Sequence, residues 1–399
     1  MTQPPPNPAL APLSGLRVVE CGAGVAAAFA GRLLSLYGAE VTRVEPPGGD
    51  PLRRRAPFPA DTPTDPGGWS FVLNGGKASV TLDLTTPTGV RLLRRRLTGA
   101  AALVEDLPAA TRVRAAAAWQ GLDHLAVATV SPFGLDHDGQ STTPLPDLVV
   151  EAAGGWVYAM GEPAREPLGP AGPLAWMTAG LVAAIAALHG LATRAGPRAD
   201  VSALEVVTAT LIYDTVAHSY TGLERTRSGR RYSHALVTNR TVPCADGFVG
   251  LHVSTQRQWL ALCDWVRRPD LAGDPRFRTP RARADNGDAL DAALLPYFAA
   301  RTAQELFHGG QAQRIPVSLI PTPAEVLASP QLAARGFWQE LPFPGFPTPV
   351  RVPGGPFRID GAGPTPRAPE HLGASTAPWL AAAGVRQRDM ARLAAAGVV

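Results

Sequence analysis

Lysine is almost missing from this 399-residue chain: Lys77 stands alone, and the other 36 basic residues are arginine. A GC-rich bacterial genome that drifts lysine to arginine explains the bias, and it makes the one retained ammonium worth following, because arginine cannot replace lysine in a tight site. Cysteine is scarce as well. Cys21, Cys244 and Cys263 are far apart without a C-x-x-C pair, which excludes a disulfide framework or zinc knuckle and fits a reducing cytoplasm. The eight histidines include no H-E-x-x-H, serine occurs in no G-x-S-x-G elbow, and G-x-x-x-x-G-K-[ST] is absent, so the common metalloprotease, hydrolase and P-loop patterns are excluded and no metal is expected. The longest apolar run, Leu174 to Ala192, is rich in alanine and glycine and contains His189. It reads as a buried helix rather than a span of ~20 strongly apolar residues. Met1 to Pro12 lacks a basic n-region and reads as a flexible proline-rich arm. Arginines are scattered without an aromatic-interleaved stripe, so no nucleic-acid or membrane partner is expected.

What is present suits a folded α/β protein. Hydrophobic residues make up 45% and the net charge is +4, enough apolar material for a core. The length suggests two domains. With 41 glycines and 41 prolines, turns are too frequent for a helical bundle. Leu16 to Cys21 reads as a strand, Ala26 to Tyr37 as a helix ended by Gly38, and Glu40 to Glu45 as a second strand: a βαβ unit with its right-handed crossover. Residues 46–68 form a long loop. Strands at 78–84, 101–105 and 125–130 and a helix from Pro87 to Leu97 extend a doubly wound, Rossmann-like domain. Residues 199–211 form a further αβ stretch, and Arg225 to Arg231 reads as a charged linker. A strand-rich entry near Cys244 then leads to helices at 259–266 and 289–298, and a terminal helix is expected at 388–395.

Two local patterns could bind an anion. Gly22-Ala23-Gly24-Val25-Ala26-Ala27 matches G-x-G-x-x-A between a strand and a helix, with Glu45 ending the next strand. These are the contextual demands of a dinucleotide turn, though any tight βα turn meets them equally. Asn74-Gly75-Gly76-Lys77 could form a concave nest of N–H groups with one point charge, or a plain turn. Asp147, Glu151, Glu162 and Glu166 lie in a glycine-rich stretch, where charged residues ordinarily face water.

With these residues in view, the chain resembles the class III CoA-transferases, the CaiB/BaiF or formyl-CoA transferase family, from Leu13 to the C-terminus. The resemblance rests on LSGLRVVECGAG, LLSLYGAEVTRVEPPGGDPLRR, FVLNGGKASVTLDL, DLVVEAAGGWVYAMGEP, VPCADGFVGLHV, LAGDPRFRTPRARADN, SPQLAARGFW and the final AAAGVV. It implies a Rossmann-like large domain with a smaller α+β domain, in ring-shaped chains that interlock as dimers. On this chain that gives an arm at 1–12, a large CoA-binding domain at 13–215, a linker at 216–240, a small domain at 241–330 and a return segment at 331–399. The implied substrates are coenzyme A or an acyl-CoA and a small carboxylic acid. CoA would meet Gly24, Val25 and Ala26 through its nucleotide, and Asn74, Lys77 and Arg114 through its phosphates and ribose.

The departures matter more. Asp106-Leu107 stands for the family's NF pair and Pro46 for a basic residue, and an acidic Asp106 would repel phosphates. The family's nucleophilic aspartate, four residues before a glycine, falls on Trp176 with Gly180 in place. The base histidine of the racemase branch falls on Pro146. Three readings follow. The first is a nucleophile-less subunit paired with an aspartate-bearing paralogue in a mixed interlocked dimer, a homodimer being the other pairing the resemblance implies. The second is an active CoA-thioester enzyme using Asp147 or Glu151. The third is an NAD(P)-binding protein built on the G-x-G-x-x-A turn.

Overall fold

The computed structural model describes residues 11–58, 65–136, 145–193, 196–231, 238–344 and 346–399. The expected arm at 1–12 lies outside them except for Ala11 and Pro12, as do residues 232–237 of the expected linker. The chain divides into two compact units, one of Met1–Gly154, Pro170–Thr210 and Pro330–Val399, the other of Gly155–Gly169 and Leu211–Ser329.

The first unit alternates strands and helices: β1 (Arg17–Gly22), α1 (Val25–Leu36), β2 (Glu40–Glu45), α2 (Gly68–Leu73), β3 (Ala78–Thr81), α3 (Pro87–Leu97), β4 (Ala102–Asp106), α4 (Ala109–Ala115), β5 (Ala126–Ser131), α5 (Asp147–Ala153), α6 (Leu174–Thr193), β6 (Arg198–Ser202) and α7 (Ala203–Ala209). The strands pair in parallel in the order β3-β2-β1-β4-β5-β6. Such a sheet is covered on both faces, and accordingly β5 is buried at every residue and β4 at all but Asp106. Its order reverses between β1 and β4, and ligands of doubly wound sheets bind beyond the strand ends at that reversal.

One helix sets the fit at that point. α6 buries a stripe of small residues, Ala175, Ala179, Gly180, Ala183, Ala184, Ala187 and Gly190, while Leu181, Ile185 and Leu188 on its other side are exposed. It is long and apolar enough to cross a membrane by composition, yet it is buried on one face only, not throughout as the apolar run suggested. The small stripe lets its backbone approach α1: a Cβ on Gly180 would stand 2.4 Å from the Ala26 carbonyl oxygen. Gly180→Ala is therefore expected to cost about 2 kcal/mol, the usual penalty for overpacking, in urea unfolding followed by circular dichroism. A loss below about 0.5 kcal/mol would mean the helices are not in close contact.

The second unit holds α8 (Ile212–Thr221), β7 (Arg240–Cys244), β8 (Gly247–Leu251), α9 (Gln256–Trp265), α10 (Asp270–Gly273), α11 (Pro280–Asp285), α12 (Gly287–Ala299), α13 (Ala303–Ala312), β9 (Val317–Leu319) and α14 (Pro323–Leu327). Its antiparallel sheet has the order β7-β8-β9, and Trp259, Phe277, Leu290, Phe298 and Leu306 fill its core. Part of the stretch read as linker is helical, because α8 runs to Thr221 before Gly222 ends it in a left-handed turn.

The chain then returns to the first unit through α15 (Pro330–Ala334), β10 (Trp338–Leu341), β11 (Val350–Pro353), α16 (Thr376–Ala382) and α17 (Gln387–Ala395). The return is tied down by specific contacts. Tyr37 donates to Phe357 O at 2.8 Å and their rings stack at 4.0 Å. Trp379, Leu380 and Val398 join the apolar core beneath β3 and α3.

Candidate functional site

Beyond the ends of β1, β4 and β5 opens a cavity of about 520 Å³, the volume of a small-molecule site. The β1–α1 turn contributes Ala23, Gly24 and Val25, and β4 and its loop contribute Asp106, Leu107 and Pro108. Trp176 comes from the first turn of α6 and Asp147 from the start of α5, while Leu52, Arg54 and Arg55 come from the 46–68 loop. Pro51–Arg54 form a short 3₁₀ turn, capped by Asp50 through the Leu52 N–H at 2.6 Å.

The turn itself is occupied by protein. Asp106 accepts the Gly24 N–H at 3.2 Å and the Ala27 N–H at 3.0 Å, supplying the cap that α1 does not make locally. A carboxylate thus sits where a pyrophosphate would lie in a dinucleotide turn. Burial pushes the Asp106 carboxyl up to about 6, Asp50 and Glu20 adding to it, against the Ala27 and Gly24 N–H groups. The folded protein therefore holds a proton between about 4 and 6 that the unfolded chain has released. This contribution to stability is present at acid pH and is lost as pH rises through 6. Asp106→Asn is expected to make the decline between pH 5 and pH 7.5 smaller by on the order of 1 kcal/mol, as read from unfolding midpoints at the two pH values. A decline of the same size in the variant would sink the assignment.

Arg112 closes the floor. Its Nε reaches Glu105 at 2.9 Å and its Nη2 donates to Leu107 O at 2.7 Å and Val130 O at 3.1 Å, locking the β4–α4 loop to β5. Burial raises the Glu105 carboxyl to about 7 despite this arginine. On the opposite wall Arg55 lies over Trp69, 5.2 Å from the ring centroid, and 3.9 Å from Asp147 Oδ2. Among the described residues Asp147 Oδ1 is buried with no hydrogen-bond partner, and burial is the first cause that raises its carboxyl. Glu151 is 1% exposed, with Oε1 unpaired among the described residues. Trp176 packs with Val25, Leu52, Trp69 and Leu73 as an apolar floor.

The sequence-derived positions divide here. Gly24, Val25, Asp147 and Trp176 line the cavity. Ala26 is buried against α6, and Glu151 is buried nearby. Asn74, Lys77 and Arg114 are not among the lining residues: Arg114 is exposed on α4, and the other two lie beneath α1. The Lys77 ammonium donates to Glu20 Oε2 at 2.6 Å, Ala28 O at 2.7 Å and Asn74 Oδ1 at 3.3 Å. Glu20 and Asn74 also accept from Arg43 at 2.6 Å each, and Arg43 pairs with Asp50. Arg53 joins through Glu45 at 2.7 Å. Three buried cations thus face three buried carboxylates, the pairing that interior charges require. Lys77 is lowered to about 8, chiefly by burial. The residues that sequence reasoning missed, Arg54, Arg55 and Arg112, carry no motif; the only hint was the Arg53-Arg54-Arg55 run inside a long loop. Among the described residues no cluster of three or more histidine, cysteine or carboxylate side chains could hold a metal.

The chain is similar to known proteins along most of its length. The sequence model of CoA-transferase family III matches residues 13–376. The chain is 28% identical over 383 residues to succinate–glutarate CoA-transferase of Agrobacterium fabrum, covering 90% of this chain and 94% of that protein. It is 26% identical to succinyl-CoA:(R)-benzylsuccinate CoA-transferase subunit BbsE of Thauera aromatica, over 87% and 88% of the two chains. The crystal structure of a CaiB/BaiF family protein from Brucella suis superimposes with a TM-score of 0.78 at 26% identity, covering 93% of this chain and 99% of that one.

Proposed function

The chain belongs to CoA-transferase family III, and from that premise we propose that it seats an acyl-CoA in the cavity of the first unit as the non-catalytic member of a two-chain transferase. Its partner would be a paralogue with aspartate where this chain has Trp176. The observation that carries this reading is the indole on the cavity floor. In the transfer reaction a carboxylate oxygen attacks the thioester carbonyl. The carbon–sulfur bond breaks, and a mixed anhydride and CoA thiolate result. The indole nitrogen has its lone pair in the ring and cannot make that attack. What this chain supplies is binding: an apolar floor of Val25, Leu52 and Trp176, and cations at Arg54 and Arg55 for the phosphates or the acid.

Pairing is supported by apolar surface in each unit. Leu148 and Val149 of α5 and Ile185 of α6 are exposed in the first, and Ile212, Tyr213 and Tyr220 of α8 in the second. α8 buries none of its residues within the chain. One relative, BbsE, is a subunit of its transferase. We place the protein in the cytoplasm, where its free cysteines stay reduced.

The test is turnover with succinyl-CoA and a small dicarboxylic acid, for the chain alone and for the chain co-expressed with an aspartate-bearing paralogue. The isolated chain should bind succinyl-CoA in calorimetry yet exchange CoA more than about 10³-fold slower than the mixed complex. A homodimer that turns over at about 1 s⁻¹ or faster overturns the reading. Such a result would favour a second one, in which Asp147 is the attacking carboxylate. That reading is supported by the place of Asp147 on the cavity wall, its Oδ1 buried without a partner among the described residues, and Asp147→Asn would then abolish exchange.

A further inference from the structure

β1 and β4 run side by side with Gly22 opposite Asp106, so the Asp106 side chain reaches across the end of β1 into the first turn of α1. That helix has no acidic residue in its own first turn. Its positive end is therefore neutralised from a neighbouring strand, 82 residues away in sequence. The glycines of the turn answer to this carboxylate. A Cβ on Gly22 would stand 1.8 Å from Asp106 Oδ1, and one on Gly24 would stand 2.3 Å from Oδ2. Small residues in such a turn ordinarily let a phosphate approach the backbone. Here they let the chain's own anion approach it, and the Gly24 and Ala27 N–H groups are engaged by that carboxylate.

We propose that Asp106 is the specificity-determining residue of this cavity: a fixed anion that shuts the Gly22–Gly24 turn to phosphate and leaves Arg54 and Arg55 as the wall that receives a ligand's negative charge. The second half rests on the CoA reading; the first stands on the turn alone. Arg54 is steadied by a hydrogen bond to Gly48 O at 3.1 Å, and Arg55 by Trp69. Both guanidiniums have donors left over for an anion. A diphosphate would thus run along the loop wall, and the apolar or neutral part of the ligand would face α1.

Calorimetry with ADP, and with adenosine as the uncharged control, tests this on the intact chain. Asp106→Ala should bind ADP at least about tenfold tighter than wild type. Arg54→Gln/Arg55→Gln should bind it at least about tenfold weaker, and adenosine should change by less than about twofold throughout. A folded Asp106→Ala protein whose ADP affinity is unchanged or lower overturns the proposal. If wild type binds neither CoA nor ADP, the CoA reading fails, while a gain of ADP binding in Asp106→Ala still upholds the guard. Melting temperatures supply a reading that needs no ligand. Gly24→Ala should lower the melting temperature by about 5 °C in wild type and by less than half of that in the Asp106→Ala background. Equal losses in the two backgrounds would mean that the glycine does not serve the carboxylate.

Discussion

Lys77→Met is expected to lower the stability of the first unit by about 3 kcal/mol, because it leaves a buried carboxylate short of a partner. Glu20 keeps Arg43, so the loss stays below that of a wholly unpaired charge. Lys77→Arg is expected to be costly too, unlike the surface exchanges that the composition records. A Cβ on Gly31 would already stand 3.0 Å from Lys77 Nζ and 1.9 Å from Glu20 Oε2, so α1 rests directly on the ion pair and a planar guanidinium has no room. The pH response carries the same signature. The folded Lys77 ammonium lets its proton go near 8, against 10.5 in an unperturbed lysine. Between those values the unfolded chain binds more protons, and this group's contribution makes stability rise with pH. Urea midpoints from pH 7 to 10.5 should show that rise in wild type relative to Lys77→Met. A variant that keeps wild-type stability but loses CoA affinity would instead make Lys77 a ligand.

Trp176→Asp is expected to raise CoA exchange by the isolated chain at least about 10²-fold. The new carboxylate would stand in the first turn of α6, where the helix dipole favours its ionised form. Removing the indole from its apolar cluster costs on the order of 3 kcal/mol, so melting is followed alongside activity. The decisive readout is a hydroxylamine-sensitive adduct formed from succinyl-CoA. A folded variant that binds CoA as wild type does, yet forms no adduct, would remove position 176 from any account of the chemistry.

The doubly wound sheet was legible because its code is local. β1, α1 and β2 follow one another with the apolar periods that strands and helices demand, and Gly38 ends α1 as read, with φ +102°. α6 was legible as a helix but not in its orientation: a stripe of alanine and glycine that packs on a backbone looks, in sequence, like general apolarity. α8 was missed because none of its residues is buried, so its surroundings read as a linker. The site was harder to see for the same physical reason. A solitary lysine near two glycines is compatible with a phosphate ligand and with a buried ion pair, and only the position of Glu20 under Gly31 distinguishes them. Asp106 looked like a hazard to phosphate binding. That it also builds the turn depends on a pairing between β1 and β4 that no local pattern encodes.

The enclosure of Lys77 has a chemical corollary. Acyl thioesters acylate exposed primary amines spontaneously, and a protein that holds them accumulates such damage wherever an ε-amine meets solvent. This chain's single ε-amine is 3% exposed and shielded by three acceptors, so its outer surface offers arginines, which do not react in this way. Amine-directed labels and cross-linkers will likewise find no side-chain handle on it while it stays folded.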